Sequence, residues 1–105
     1  MSLKINRIFM EEKGIWEMEL NGEIDIYTAT DLKMAFQQMF EEKKEPVEID
    51  LNNLDYIDST GLGVLIGALK RLKEVDKQIT LYHVKPNILK LLKITGLNQI
   101  FIVKE

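Results

Sequence analysis

Residues 58–63 read Asp58-Ser59-Thr60-Gly61-Leu62-Gly63. An acid and two hydroxyls meet a pair of glycines here, where an irregular segment gives way to an apolar helix. Ser59 or Thr60 is the expected N-cap, because a hydroxyl oxygen can accept from a free first-turn N–H. The preceding Asn52-Asn53-Leu54-Asp55-Tyr56-Ile57 looks too polar and irregular for a core strand. The hydroxyls are therefore expected at the surface, at the positive end of a helix dipole, where backbone N–H groups could hold a phosphate. Taken alone, the motif slightly favours the plainer reading of a cap and a tight turn.

Working outward, Leu62, Leu65, Ile66, Leu69 and Leu72 form one helical stripe, and Lys70, Arg71, Lys73 and Glu74 fall away from it. Upstream, Val47, Ile49 and Leu51 alternate with Glu48 and Asp50 as a strand. Before that strand, Ala29, Leu32, Phe36, Met39 and Phe40 recur at helical spacing. Thr28 is the expected cap of that helix, with Asp31 completing a capping box, and Pro46 bars its continuation. The N-terminus reads as a hairpin. Leu3, Ile5 and Arg7 lie on one strand, Glu11-Glu12-Lys13-Gly14 turn, and Trp16, Met18 and Leu20 alternate with Glu17 and Glu19 on the next. Downstream, residues 78–84 read as a strand. Pro86 opens a helix carrying Ile88, Leu91, Leu92 and Thr95, Gly96 stops it, and Ile100 to Val103 form a last strand. The order is β-β-α-β-α-β-α-β. It predicts an α/β fold with a mixed, largely parallel sheet and helices packed on it.

The chain of 105 residues is one domain, spanning 1–105. A chain of this size buries roughly 65% of its unfolded surface, enough for a core without staples. A hydrophobic share of 46% against 30% charged residues is that of a globular protein. The absence of cysteine excludes a disulfide framework and thiolate chemistry, and fits a reducing compartment. With a net charge of −3 and interspersed lysines and glutamates, no nucleic-acid footprint is visible. Met1-Ser2-Leu3-Lys4 shows no charged n-region followed by an apolar h-region, so a signal peptide is not expected, and the run from Gly61 to Leu69 is too short to span a bilayer. A cytoplasmic location is the default, with no membrane partner.

Catalytic chemistry has little support. His83 is the sole histidine. A Ser59–His83–Asp triad can be drawn, but a lone strand histidine is more often a packing or edge residue than a general base. No metal-ligand spacing exists and no cofactor is expected. The run Gly61 to Gly67 approaches a dinucleotide fingerprint, but it has one residue too many between its second and third glycines. It also follows the irregular stretch 52–58 instead of a tight strand-to-helix turn. Gly63 and Gly67 each cost about 1 kcal/mol in a helix. They let the helix pack closely on its own sheet, or they form a flat strip for a partner's backbone; their position off the apolar stripe favours the partner. Asp25 and Asp58 both precede helices, at segments that gather at the carboxyl edge of such a sheet. The two acids and Ser59 could thus be neighbours, or Asp25 could be only a turn acid.

Three segments resemble one known family: Gly22-Glu23-Ile24-Asp25-Ile26-Tyr27-Thr28, Asp58-Ser59-Thr60-Gly61-Leu62-Gly63-Val64 and Ile94-Thr95-Gly96-Leu97. Together they look like the bacterial anti-sigma factor antagonists, the single-domain STAS proteins of sporulation and stress partner switching. The resemblance covers nearly the whole chain. It implies that the unphosphorylated protein binds an anti-sigma factor that is also a serine kinase, so that the sigma factor is released. It implies that this kinase, using ATP, phosphorylates the serine after the motif aspartate, here Ser59, with Thr60 as the second candidate. A metal-dependent phosphatase of the PP2C type would restore the active form. Asp25 matches the family's acidic residue beside that serine. The partner-binding residues so implied are Asp25, Tyr27, Asp58, Ser59, Thr60, Gly61, Gly63 and Gly67, on a chain that is a monomer by itself. Family members often carry a further C-terminal helix, and the sequence runs to Glu105 without one. The alternative within the family is a STAS module serving as a scaffold or transporter subunit, not switched by phosphorylation.

Overall fold

A computed structural model describes residues 2–104. Strands β1 (Leu3–Met10) and β2 (Ile15–Ile24) form the antiparallel hairpin, and α1 (Ala29–Glu42) follows. Then come β3 (Val47–Asp50), β4 (Leu54–Ile57), α2 (Ser59–Lys73), β5 (Ile79–Tyr82), α3 (Pro86–Thr95), a short 3-10 turn and β6 (Ile102–Lys104). The sheet runs β1-β2-β3-β5-β6, parallel everywhere except at the hairpin. The α/β class and the mixed, largely parallel sheet are as the sequence predicts.

The order contains one strand more than expected. Asn52 to Ile57 is not wholly irregular, because Leu54–Ile57 is β4 and pairs in parallel with the far half of β2. The near half of β2 pairs with β3, from Trp16↔Val47 to Glu19↔Asp50. β3 and β4 are thus one strand interrupted at residues 51–53. There the Asp50 carboxylate accepts from Asn52 N–H at 2.9 Å, and Leu54 N–H turns back to Leu51 C=O at 3.1 Å. The interruption destroys the period-2 pattern, while Leu54 and Ile57 still enter the core. Opposite it, Gly22 has φ +114°, and the register shifts between Gly22 and Glu23. A side chain at Gly22 would meet the backbone of Ser2, so this bulge requires glycine.

The alternation along β2 sends Trp16, Met18 and Leu20 into the same cluster as Leu32, Phe36 and Met39 of α1, Leu65, Leu69 and Leu72 of α2, and Ile88 and Leu92 of α3. Glu17, Glu19, Glu48 and Asp50 therefore face the other way, toward solvent. The fold is two layers, with helices on one face. Trp16 ties the layers by donating its indole N–H to Lys43 C=O at 2.8 Å. Gly96 closes α3 in the left-handed region at φ +77°, after Pro86 has opened it.

The strand expected over 78–84 is shorter. His83 lies beyond β5 with φ +56°, and its Nδ1 is 3.1 Å from Asp50 Oδ1. The histidine of the imagined triad is thus paired with a strand acid on the sheet. The last strand begins at Ile102 instead of Ile100, because Leu97–Gln99 is wound as a 3-10 turn.

Candidate functional site

The site forms where β2 and β4 end side by side. Ile24 pairs with Ile57, and Asp58 N–H donates to Ile24 C=O at 3.1 Å. Asp25 and Asp58 are the next residues on two adjacent parallel strands, about 5 Å apart in the hydrogen-bonding direction. The sheet thus brings the β2–α1 loop and the start of α2 together at its carboxyl edge.

The caps differ from those expected. Asp58, not Ser59 or Thr60, is the N-cap of α2. Its extended backbone (φ −102°, ψ −176°) leaves the helix, and its Oδ1 accepts from Gly61 N–H at 2.9 Å. Pairing with Ile24 holds Asp58 in the strand conformation, so Ser59 becomes the first helical residue. Both hydroxyl residues are exposed. Their N–H groups belong to the first turn, which has no intrahelical acceptor for them. Asp58 does the capping, and among the described residues the Ser59 hydroxyl has no hydrogen-bond partner, which leaves it open to chemistry.

Thr28 occupies the N-cap position of α1 but makes no cap bond, so the capping box with Asp31 is not formed. Its Oγ1 instead donates to Glu23 C=O at 2.9 Å and accepts from Asp25 N–H at 2.9 Å. Asp25 orders the loop: its Oδ1 accepts from Tyr27 N–H at 2.9 Å and Thr28 N–H at 3.0 Å. Asp25 is 5% exposed, and its Oδ2 is buried without a hydrogen-bond partner among the described residues. The loop so fixed pushes Ile26 and Tyr27 outward, at 67% and 82% exposure.

The glycines divide. Gly61 is buried, and a Cβ there would lie 2.6 Å from Ile24 Cγ2 and 2.8 Å from Ile57 Cγ1. It seats α2 against the two strand ends instead of offering surface. Gly63 and Gly67 are exposed with nothing within 4 Å of a Cβ. Close packing on the chain's own sheet therefore does not explain them. They follow Ser59 down the outer side of α2 as bare backbone.

Sequence reasoning missed four residues around this surface. Ile26 and Tyr56, exposed beside Tyr27 and at β4, had no signal separating them from core positions. Lys33 and Arg71 are brought to the Gly63–Gly67 strip only by the packing of α1 on α2. No group of three or more His, Asp or Glu among the described residues could hold a metal ion, and no helix among them is long and apolar enough to cross a membrane.

Residues 12–104 match a family model described as "Mlab, STAS domain". The chain is 36% identical to an anti-sigma-B factor antagonist of Staphylococcus epidermidis over 105 residues, all of this chain and 95% of that protein. A crystal structure of an anti-sigma factor antagonist from Mycobacterium paratuberculosis superposes with a TM-score of 0.76 at 25% identity, over 95% of this chain and 85% of that one. The unphosphorylated form of the antagonist SpoIIAA shares the fold at a TM-score of 0.75 and 16% identity, over 99% of this chain and 88% of that one. The chain therefore belongs to the STAS family, and within it to the anti-sigma factor antagonists.

Proposed function

We propose that this chain binds an anti-sigma factor serine kinase when Ser59 is free, and is released when that kinase phosphorylates Ser59. The observation that carries the reading is an exposed serine at the first position of α2 whose hydroxyl has no partner among the described residues, because Asp58 does the capping. Membership of a family of antagonists supports the partner. Tyr27, Asp58, Ser59, Thr60, Gly63 and Gly67 form the contact surface, with the buried Asp25 ordering its loop and Gly61 shaping it from within. The chain does no chemistry itself and acts in the cytoplasm. A PP2C-type phosphatase reverses the modification.

The switch is electrostatic. A phosphoserine adds about −1.5 to −2 charges at pH 7. At Ser59 it sits on the positive end of α2, beside first-turn N–H groups, so the fold accommodates it. The same charge joins Asp25 and Asp58 at an interface that buries it. A loss of about 1.4 kcal/mol is tenfold in affinity, and one like-charge contact across an interface costs several kcal/mol. Release thus needs no rearrangement of α2. The test is binding of the purified chain to the anti-sigma kinase of its own genome. Ser59→Ala should bind and Ser59→Asp should not; equal binding by both removes the switch and leaves a STAS module with a scaffold or transporter-subunit role.

A further inference from the structure

Between α1 and α2 runs a groove of about 400 Å³ that opens at Thr60 and ends at Arg71. Its floor is Phe36, Val64 and Ala68, and its α2 wall is the bare backbone of Gly63 and Gly67. Lys33 and Arg71 stand at its edges. Resting on the reading above, we infer that this groove seats an acidic amphipathic helix of the anti-sigma kinase, about three turns long, with carboxylates meeting Lys33 and Arg71.

Three observations lead there. The first is cost without internal return. Two glycines inside one helix destabilise it by about 1 kcal/mol each, yet at both positions a Cβ would meet only open space. Gly61 in the same helix is explained by Ile24 and Ile57; Gly63 and Gly67 are not explained by any neighbour among the described residues. The second is shape. Packed helix axes usually lie 8–10 Å apart, a distance set by contact side chains, and small residues let a second backbone approach more closely. Thr60 to Arg71 spans about 16 Å along the axis at 1.5 Å per residue, which sets the length of the docked helix. The third is charge. Neither Lys33 nor Arg71 has a carboxylate within ion-pair distance among the described residues. Arg71 is held by its stacking over Phe40, 5.0 Å from the ring centroid. The chain is net acidic at −3, so two unpaired cations beside an apolar floor select an acidic occupant. The groove starts at the hydroxyl pair, so a phosphate on Ser59 sits at the mouth of the same contact and repels that occupant.

The chain has no cysteine, so Gly67→Cys introduces a unique thiol into a position with room for it. Its alkylation rate is measured with and without saturating anti-sigma kinase, with Thr80→Cys on the opposite sheet face as control. Slowing of about tenfold or more at position 67, with none at position 80, is expected. Arg71→Glu should weaken kinase binding about tenfold, and reversing a carboxylate to lysine on the kinase helix should restore it. If the kinase binds the parent chain and is lost on Ser59→Asp, while the thiol at 67 stays fully reactive and Arg71→Glu binds normally, the groove is overturned and the phosphoswitch stands. If the parent chain binds no kinase, the switch reading falls and takes this one with it. Slowing of alkylation by raised concentrations of the chain alone would put a second copy in the groove and overturn the acidic kinase helix.

Discussion

Three glycines share α2, and replacing each with alanine should change stability in opposite directions. At Gly61 the new methyl group would lie 2.6 Å from Ile24 Cγ2 and 2.8 Å from Ile57 Cγ1, against an ordinary contact that begins at 3.4 Å. The overlaps are 3.4 − 2.6 = 0.8 Å and 3.4 − 2.8 = 0.6 Å. Neither isoleucine can yield easily. Ile24 is 0% and Ile57 4% exposed, both are β-branched and stiff at χ1, and a close-packed interior transmits the displacement. Overpacking of this kind costs about 1–3 kcal/mol. The helix gain from losing glycine offsets at most about 1 kcal/mol of it. With two stiff contacts overlapped at once, the cost falls at about 2–3 kcal/mol, so Gly61→Ala should destabilise by about 1–2 kcal/mol net. At Gly63 and Gly67 there is no overlap, so alanine should stabilise by about 0.4–1 kcal/mol at each site. Urea unfolding followed by far-UV circular dichroism reads all three. At about 4–8 °C of Tm per kcal/mol for a domain near this size, thermal melts should separate Gly61→Ala from the other two by at least several degrees. A Gly61→Ala variant as stable as Gly63→Ala would refute the packing argument and with it the role of Gly61 in seating α2.

Other consequences concern the same loop and strip. With the proposed kinase helix packed against the Gly63–Gly67 strip, Gly63→Ala should weaken binding to the anti-sigma kinase, by pull-down or calorimetry, even as it raises the Tm. Asp25→Asn keeps a carbonyl oxygen for Tyr27 and Thr28 N–H and should unfold within about 1 kcal/mol of the parent, whereas Asp25→Ala takes the acceptor from both N–H groups and should lose about 1–3 kcal/mol; urea midpoints distinguish them. Thr28→Val removes the partner of Glu23 C=O and Asp25 N–H from a buried position. It should cost about 1–3 kcal/mol in the same assay.

The helices were legible because each has a stripe repeating at helical spacing, and the hairpin and β3 because their alternation is intact. β4 was hidden by residues 51–53, where Asp50 and the asparagines fold a local turn that breaks the period while Leu54 and Ile57 stay buried. The caps were displaced by long-range pairing. Asp58, Ser59 and Thr60 can all cap by residue type, and the choice of Asp58 follows from its N–H donating to Ile24 C=O across the sheet. In the first loop, Thr28 was drawn away from α1 toward Glu23, leaving Asp25 to order the turn. The motif at residues 58–63 lies at the start of α2, and of the two readings of Asp25 the carboxyl-edge one matches the pairing of the β2 and β4 ends that precede Asp25 and Asp58. The burial of Gly61 depends on how α2 seats on the ends of β2 and β4, and the cations beside the Gly63–Gly67 strip on how α1 packs on α2; no local pattern encodes either.

The claim that Ser59 is the switch is tested most directly by incubating the chain with its genome's anti-sigma kinase and ATP, then mapping the product by intact mass and peptide fragmentation. One phosphoryl group on Ser59, absent from Ser59→Ala, is the predicted result. No phosphoryl group from a kinase active on a control substrate, or one carried on Thr60 alone, would contradict it.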